Sequence, residues 1–406
     1  MKKLVVILSL LCTVSSLAES NFPYLGTDVS KARIALEQII SAGPPPQGVP
    51  ALGFTGDRNG RITATAAPKF VALADARLLS PEEPVVVVGS KAYPLRILRW
   101  HEVVNDGTLI VTYSPLCNSA AVYDRRVALS DAEREAVLRL DPRASVAALD
   151  PAFKAAYSAQ TGQPAPNWGL EVSFGTSGML YRANPLIFDS ATGSVFAQMT
   201  GEGAVGALSN TRLLRIPSQV VSFAAFSRAF PGGQVLSTET GFTRAYAQNP
   251  YFGYDRPDEP PLLYLGNIDT RLQPKERVVA LEVGQQSVAY PFSLIAQRQA
   301  VNDQLGGLEV AVWWAAGTRS ALDANSFEQA RDVGAVGVFS RRLEGRTLSF
   351  RFEAGSWVDQ ETNSRWNILG QATDGALRGK RLETLAHDTP LWFAQAAFRP
   401  NTQIRR

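Results

Sequence analysis

Cys117 stands in Thr112-Tyr113-Ser114-Pro115-Leu116-Cys117-Asn118-Ser119, where a strand-like run stops at Pro115 and a thiol follows two residues later. Ser114 occupies the place that the second sulfur of a redox dithiol would take. The thiolate is the form of cysteine that attacks carbon or binds metal, and a neighbouring imidazole helps to form it. Trp100-His101-Glu102 supplies an imidazole and a carboxylate side by side, and Thr200-Gly201-Glu202 a further carboxylate. The expected site is therefore Cys117 as reactive atom, His101 and Glu102 as pKa tuners or ligands, Ser114 as hydrogen-bond donor, and Glu202 as an additional acid. Each has a plain structural alternative: an inert buried thiol, a satisfied core histidine, a carboxylate paired to an arginine, a turn cap.

No cofactor is evident. A histidine, a cysteine and a carboxylate suit copper or zinc, with Cys117 and His101 as the ligands if a metal binds, but three ligands from separate elements form no spacing motif. Cys117 has no resolving cysteine after the leader, so disulfide exchange needs an external thiol as partner; an unknown small molecule is the other expected partner. A serine hydrolase is disfavoured. Ser177 in Gly175-Thr176-Ser177-Gly178 lacks the last glycine of a nucleophile elbow, and only His101 and His387 are on hand as base.

These residues are set apart by a repeat in the chain. Ala92-Tyr93-Pro94 recurs as Ala289-Tyr290-Pro291, and Val104-Asn105-Asp106 as Val301-Asn302-Asp303, both at an offset of 197. Asp75-Ala76-Arg77-Leu78 is echoed by Asp269-Thr270-Arg271-Leu272, and Gly206-Ala207-Leu208 by Gly375-Ala376-Leu377. Aligned this way, His101 and Glu102 match Arg298 and Gln299, Glu202 matches Gln371, and Cys117 matches Ala316. The reactive side chains all sit in the first copy, which places the candidate site there.

The elements that must hold them read as strands followed by helices. Short β-branched or alternating runs at 84–88, 109–113, 170–174, 186–188 and 195–196 read as strands. Phenylalanines at spacings of three and four predict a helix over 223–230, matched by one over 391–398. Pro94 opens a helix at a position where a missing N–H costs nothing. On its wheel His101 and Glu102 flank Leu98 and face inward, with Arg96 and Arg99 on the opposite arc. Between 127 and 168 the first copy carries an insertion. Ser130 with Glu133 makes a capping box and Asp150-Pro151 starts a second helix ending near Gly162, so two surface helices are expected, as a lid or a tolerated excursion. The fold expected is α+β: two internally duplicated β-rich halves with helices and mixed sheets.

Residues 1–18 read as a signal peptide, with Lys2-Lys3, an apolar run and cleavage near Ala18, so a periplasmic or secreted protein is expected. Residues 19–69 are expected to hold an N-terminal helix over 21–43 and a stiff, extended connector at Gly43-Pro44-Pro45-Pro46-Gln47-Gly48. The first half then spans 70–255 and the second 256–406. With 19% charged and 45% hydrophobic residues and a net charge of +3, the chain has globular composition and no basic footprint for nucleic acid. No later apolar run approaches the roughly 18 residues of a membrane span.

Ala92 to Asp106, Thr112 to Ala120, Phe174-Gly175-Thr176-Ser177-Gly178-Met179-Leu180-Tyr181, Gln198 to Glu202 and the stretch from Ile40 to Ala51 resemble the bacterial family called domain of unknown function 3179. Members of that family often carry Cys-Pro-Leu-Cys, some resembling selenoproteins at the first position, which implies redox chemistry in the family. This chain has Ser114 there. The readings carried forward are a thiol-dependent, redox-like protein, a non-catalytic binding or scaffold protein, and a metal-binding module.

Overall fold

Runs of β-branched residues set the sheets. Val85, Val86 and Val87 fill the strand Pro84–Val88, which pairs antiparallel with Lys91–Pro94 on one side and Gln219–Ser222 on the other. Gln234–Leu236 then joins Lys91–Pro94 in parallel, making the sheet mixed. The computed structural model describes residues 21–284 and 286–406; the leader, its cleavage site and Cys12 lie outside them. Helices and many strands in several antiparallel or mixed sheets give an α+β architecture that is mostly β. Among the described residues no helix is long and apolar enough to cross a membrane.

Besides the mixed sheet just described, residues 70–255 form the meander Val103–Asp106, Leu109–Ser114 and Ser119–Asp124, a sheet built on the hairpin Phe174–Tyr181 with Asn184–Asp189, and a small sheet between 126 and 171. Similar sheets recur later in the chain. Ala300–Leu305, Leu308–Ala315 and Ala335–Ser340 form a meander, and Phe350–Glu353 with Ser356–Asp359 a shorter hairpin. Asn105 bonds its amide to both backbone groups of Phe174, and Asn302 does the same at Phe350. Tyr93 donates to Asp106 as Tyr290 does to Asp303.

The two regions share apolar cores. Val85, Val87, Val221 and Phe226 pack in one cluster with Trp313, Phe339, Trp357 and Trp366. The chain end also reaches back: Leu391 N–H donates to Cys117 O at 2.9 Å, and Asn118 Nδ2 donates to Thr389 O at 2.8 Å.

The two helices expected between 127 and 168 form. Asp131–Leu140 carries the Ser130–Glu133 capping box, and Pro151–Thr161 is capped by Asp150 and stops at Gly162. Asp131–Leu140 lies against the paired strands Arg126–Leu129 and Trp168–Glu171, the latter also paired with Val146–Ala148, and Pro151–Thr161 packs Phe153 and Tyr157 with Ala128, Leu149 and Leu214.

Upstream, the expectation of a helix over 21–43 is corrected. Residues 21–25 are helical, but Gly26 turns left-handed and Asp28 accepts from Ser30 N–H, an Asx turn that competes with helix. Farther on, Leu36–Gln38 is a 3-10 turn and Ile39–Ser41 a fully buried strand paired with Met179 to Tyr181. The proline-rich stretch is not a free, extended connector either. It turns, with Gly48 N–H on Pro45 O, and docks on the hairpin through Ala42 N–H to Gly178 O and Gln47 N–H to Thr176 O, each at 2.8 Å.

Candidate functional site

The helix that carries the expected site residues, Leu95–His101, starts after Pro94 and closes on Glu102, whose N–H bonds Leu98 O. It is buried nearly all round. The arc of Arg96 and Arg99, expected opposite the inward face, is buried too: Arg96 forks onto Glu83, and Arg99 donates to Ala321 O and lies over Phe327. Glu102 ends the helix at φ 57 and ψ -32, a positive-φ conformation.

Glu102 lines a cavity of about 480 Å³. The docked proline-rich segment supplies one wall through Pro44, Pro45 and Val49, and the turn before Cys117 another through Pro115 and Leu116. Met179, Leu180 and Leu186 come from the long hairpin, and Tyr251, Leu262 and Leu263 from the segment that joins the two regions. The hairpin wall exists because the strand shifts register between Thr176 and Met179. Gly178 sits in that shift at φ 71, and a Cβ there would lie 2.1 Å from Pro44 O, so only glycine lets the proline-rich segment approach.

Glu102 is the one charged residue in this lining. Among the described residues its carboxylate has no salt bridge and no side-chain hydrogen bond, and burial alone pushes its pKa up to about 7. Two lining hydroxyls are committed elsewhere, Thr176 to Val49 O at 2.6 Å and Ser177 to Leu186 O at 2.5 Å, and the third is the Tyr251 phenol.

His101 does not join Glu102 or Cys117. Its ring is buried with Nδ1 at 2.7 Å from Pro50 O and Nε2 at 2.7 Å from the Tyr246 hydroxyl, and burial lowers its pKa to about 4. Both nitrogens are occupied, leaving none to tune a thiol or bind a metal. Cys117 is fully buried behind the cavity wall, its Sγ 3.5 Å from Ala183 O, and burial pushes the thiol up to about 12. The expected reactive thiolate is therefore corrected to a protonated core thiol. Ser114 does face it: its hydroxyl accepts from Cys117 N–H at 3.3 Å and hydrogen-bonds the thiol, but weakly against the burial.

Glu202 lies elsewhere, in an ion network with Arg399 at 2.9 Å and Arg212 at 3.9 Å that also takes in Glu282. The expected cluster thus separates into a satisfied histidine, a buried thiol, a surface ion pair and one unpartnered carboxyl. His387 is buried with Nδ1 on Leu385 O. Among the described residues no group of three or more His, Cys, Asp or Glu side chains is placed to hold a metal ion.

The match of Cys117 to Ala316 is corrected as well. Tyr113 N–H bonds Glu102 O just as Trp314 N–H bonds Gln299 O, so Ser114 corresponds to Ala315. Cys117 then falls in a tight turn that residues 316–334 replace with a long loop. At Gln299, which shares the left-handed φ (59), the indole of Trp357 donates to the carbonyl at 2.7 Å and stacks on Trp313. An indole stands there where Glu102 faces a cavity.

Sequence reasoning found Glu102 but missed what surrounds it. Tyr251 lies in a polar, turn-rich stretch with no periodicity, and the proline-rich segment reads as a spacer. A usable signal was the glycine pair flanking Thr176-Ser177, which marks a close backbone approach.

Fold and site together define a mixed α+β protein, mostly β, with an apolar cavity holding a single acidic group. The chain belongs to the family described as "Protein of unknown function (DUF3179)", whose model matches residues 59–402. The proline-rich wall lies ahead of the matched span. No curated protein and no solved structure matches the chain.

Proposed function

We propose that this chain is a small-molecule-binding protein whose ligand occupies the cavity beside Glu102. The observation that carries this is the cavity itself: about 480 Å³, walled by prolines, leucines, Met179 and Tyr251, with one charged group, Glu102. That size and lining are those of ligand pockets in general. A carboxyl near neutrality also suits proton transfer, but the Thr176 and Ser177 hydroxyls are tied to carbonyls and the thiol is buried, so no nucleophile accompanies it. Binding is the reading with more behind it.

The test uses N-phenyl-1-naphthylamine, whose fluorescence rises in apolar surroundings. The wild-type protein is expected to bind it saturably, and Ala42→Trp, which adds an indole at a lining position, to bind it at least tenfold more weakly. Equal titrations of the two proteins would refute the assignment.

The leader supports an exported protein; mass spectrometry of material from the producing cell should find Glu19 as its first residue, and an intact Met1 would count against export. The paired bonds of Asn105 and Asn302, and of Tyr93 and Tyr290, support reading residues 70–255 and 256–406 as copies of one unit. An experimental structure whose two meanders fail to superpose would remove that support.

A further inference from the structure

The charge in the cavity is one-sided, and no segment packed around Glu102 offsets it. The proline-rich segment contributes prolines, Ala42 and Val49, the turn before Cys117 contributes Pro115 and Leu116, and the hairpin contributes apolar side chains and two committed hydroxyls. From its own helix, Arg99 is turned to Ala321 O and His101 to Pro50 O and Tyr246. Tyr251, from the joining segment, is the only other titratable group in the lining, and burial together with Glu102 keeps its phenol protonated. Among the described residues no cation meets Glu102, and none lines the cavity to receive an anionic ligand.

We propose, on the footing of the binding reading above, that the ligand is a lipophilic amine whose ammonium pairs with Glu102 while its apolar body fills the cavity. Three features argue for this class. An ammonium supplies the counter-charge and the donors that the carboxylate lacks, and in a cavity of low polarity such a pair is stronger than at a surface. The ring of Tyr251 adds an aromatic group of the kind that attracts a cation. Prolines and leucines suit an alkyl or aryl body and give no hydrogen bonds to a sugar or nucleotide. A carboxylic acid would set two like charges together, and a neutral alcohol would leave the charge of Glu102 unmatched above its pKa.

The sign of the pH dependence follows. An alkylamine with a pKa like that of lysine, about 10.4, is charged throughout pH 5 to 9. Glu102, held near 7, loses its proton over the middle of that range. Amine affinity should therefore rise with pH by up to tenfold per pH unit below about 7, and level off above it.

The experiment compares n-decylamine, n-decanol and decanoate as displacers of N-phenyl-1-naphthylamine from the wild-type protein and Glu102→Gln, at pH 5.5 and 8. At pH 8, decylamine is expected to bind at least tenfold more tightly than decanol to the wild type, and Glu102→Gln to erase that advantage by weakening decylamine, with decanol bound no more weakly than by the wild type. Equal affinity of amine and alcohol in both proteins, or a preference for decanoate, overturns the amine assignment and leaves the cavity as a binding site. If none of the three displaces the probe and the probe itself does not bind, the binding reading fails with it.

Discussion

Glu102 is a carboxyl group held where its charged form is poorly solvated and nothing in the described chain compensates. Its folded pKa, about 7, lies above the ordinary value of 4.5. A group raised on folding contributes stability that is present below its unfolded pKa and lost as pH rises through its folded pKa. This protein should therefore lose stability between about pH 4.5 and 7 on account of this residue, by an amount on the order of 2 kcal/mol once partial exposure is allowed for. Glu102→Gln should flatten that part of the profile and be the more stable protein at pH 8, as measured by denaturant midpoint across pH. An unchanged profile would mean that the carboxyl has found a partner. At this scale the sequence revealed residue type but not direction: the wheel that sets Glu102 beside Leu98 stops at His101, because Glu102 leaves the helix at φ 57. Nor did it reveal distance. His101 is adjacent in the chain but turns to Pro50, a contact made across 51 residues, and no helical wheel contains that information.

At the scale of elements, what was legible was whatever rests on local signals. The two helices of the insertion carry their caps in the sequence, and they form where those caps stand. Strands with β-branched runs also form where expected, as at Pro84–Val88 and Leu109–Ser114. Residues 21–43 went otherwise because their fate is decided by a distant partner: Ile39–Ser41 is a strand only through its pairing with the hairpin. The same hairpin decides the proline-rich segment, and Gly178 is the point of contact. Gly178→Ala would add a methyl group against Pro44 O at a left-handed φ. It should destabilise the protein by about 1 kcal/mol or more and weaken probe binding, because the wall moves. Full retention of both stability and binding would show that the wall is not held at that point.

For the whole molecule, the recurrence at 197 residues is legible in the amino-acid order alone, and the matching asparagine and tyrosine bonds support it. How the two regions meet is not legible there. Val85 and Phe226 share a core with Trp313 and Trp366, and such interdigitation depends on three-dimensional packing rather than on any local pattern. Nor could the recurrence place Cys117, because the loop at 316–334 stands where residues 115–118 make a short turn between strands. The long-range contacts explain why the expected site separates: two of its members answer to partners in the other region, Cys117 O to Leu391 and Glu202 to Arg399.

The backbone bond from Leu391 to Cys117, with Asn118 held on Thr389, has a consequence in time. A ribosome releases the amino-terminal part of a chain first, and regions that can fold do so as they emerge. The turn that presents Pro115 and Leu116 to the cavity is braced by residues synthesised well after it, Thr389 coming 271 positions behind Asn118. That wall is accordingly braced only once residues 389–391 have emerged, and a chain cut before them would be without those two bonds.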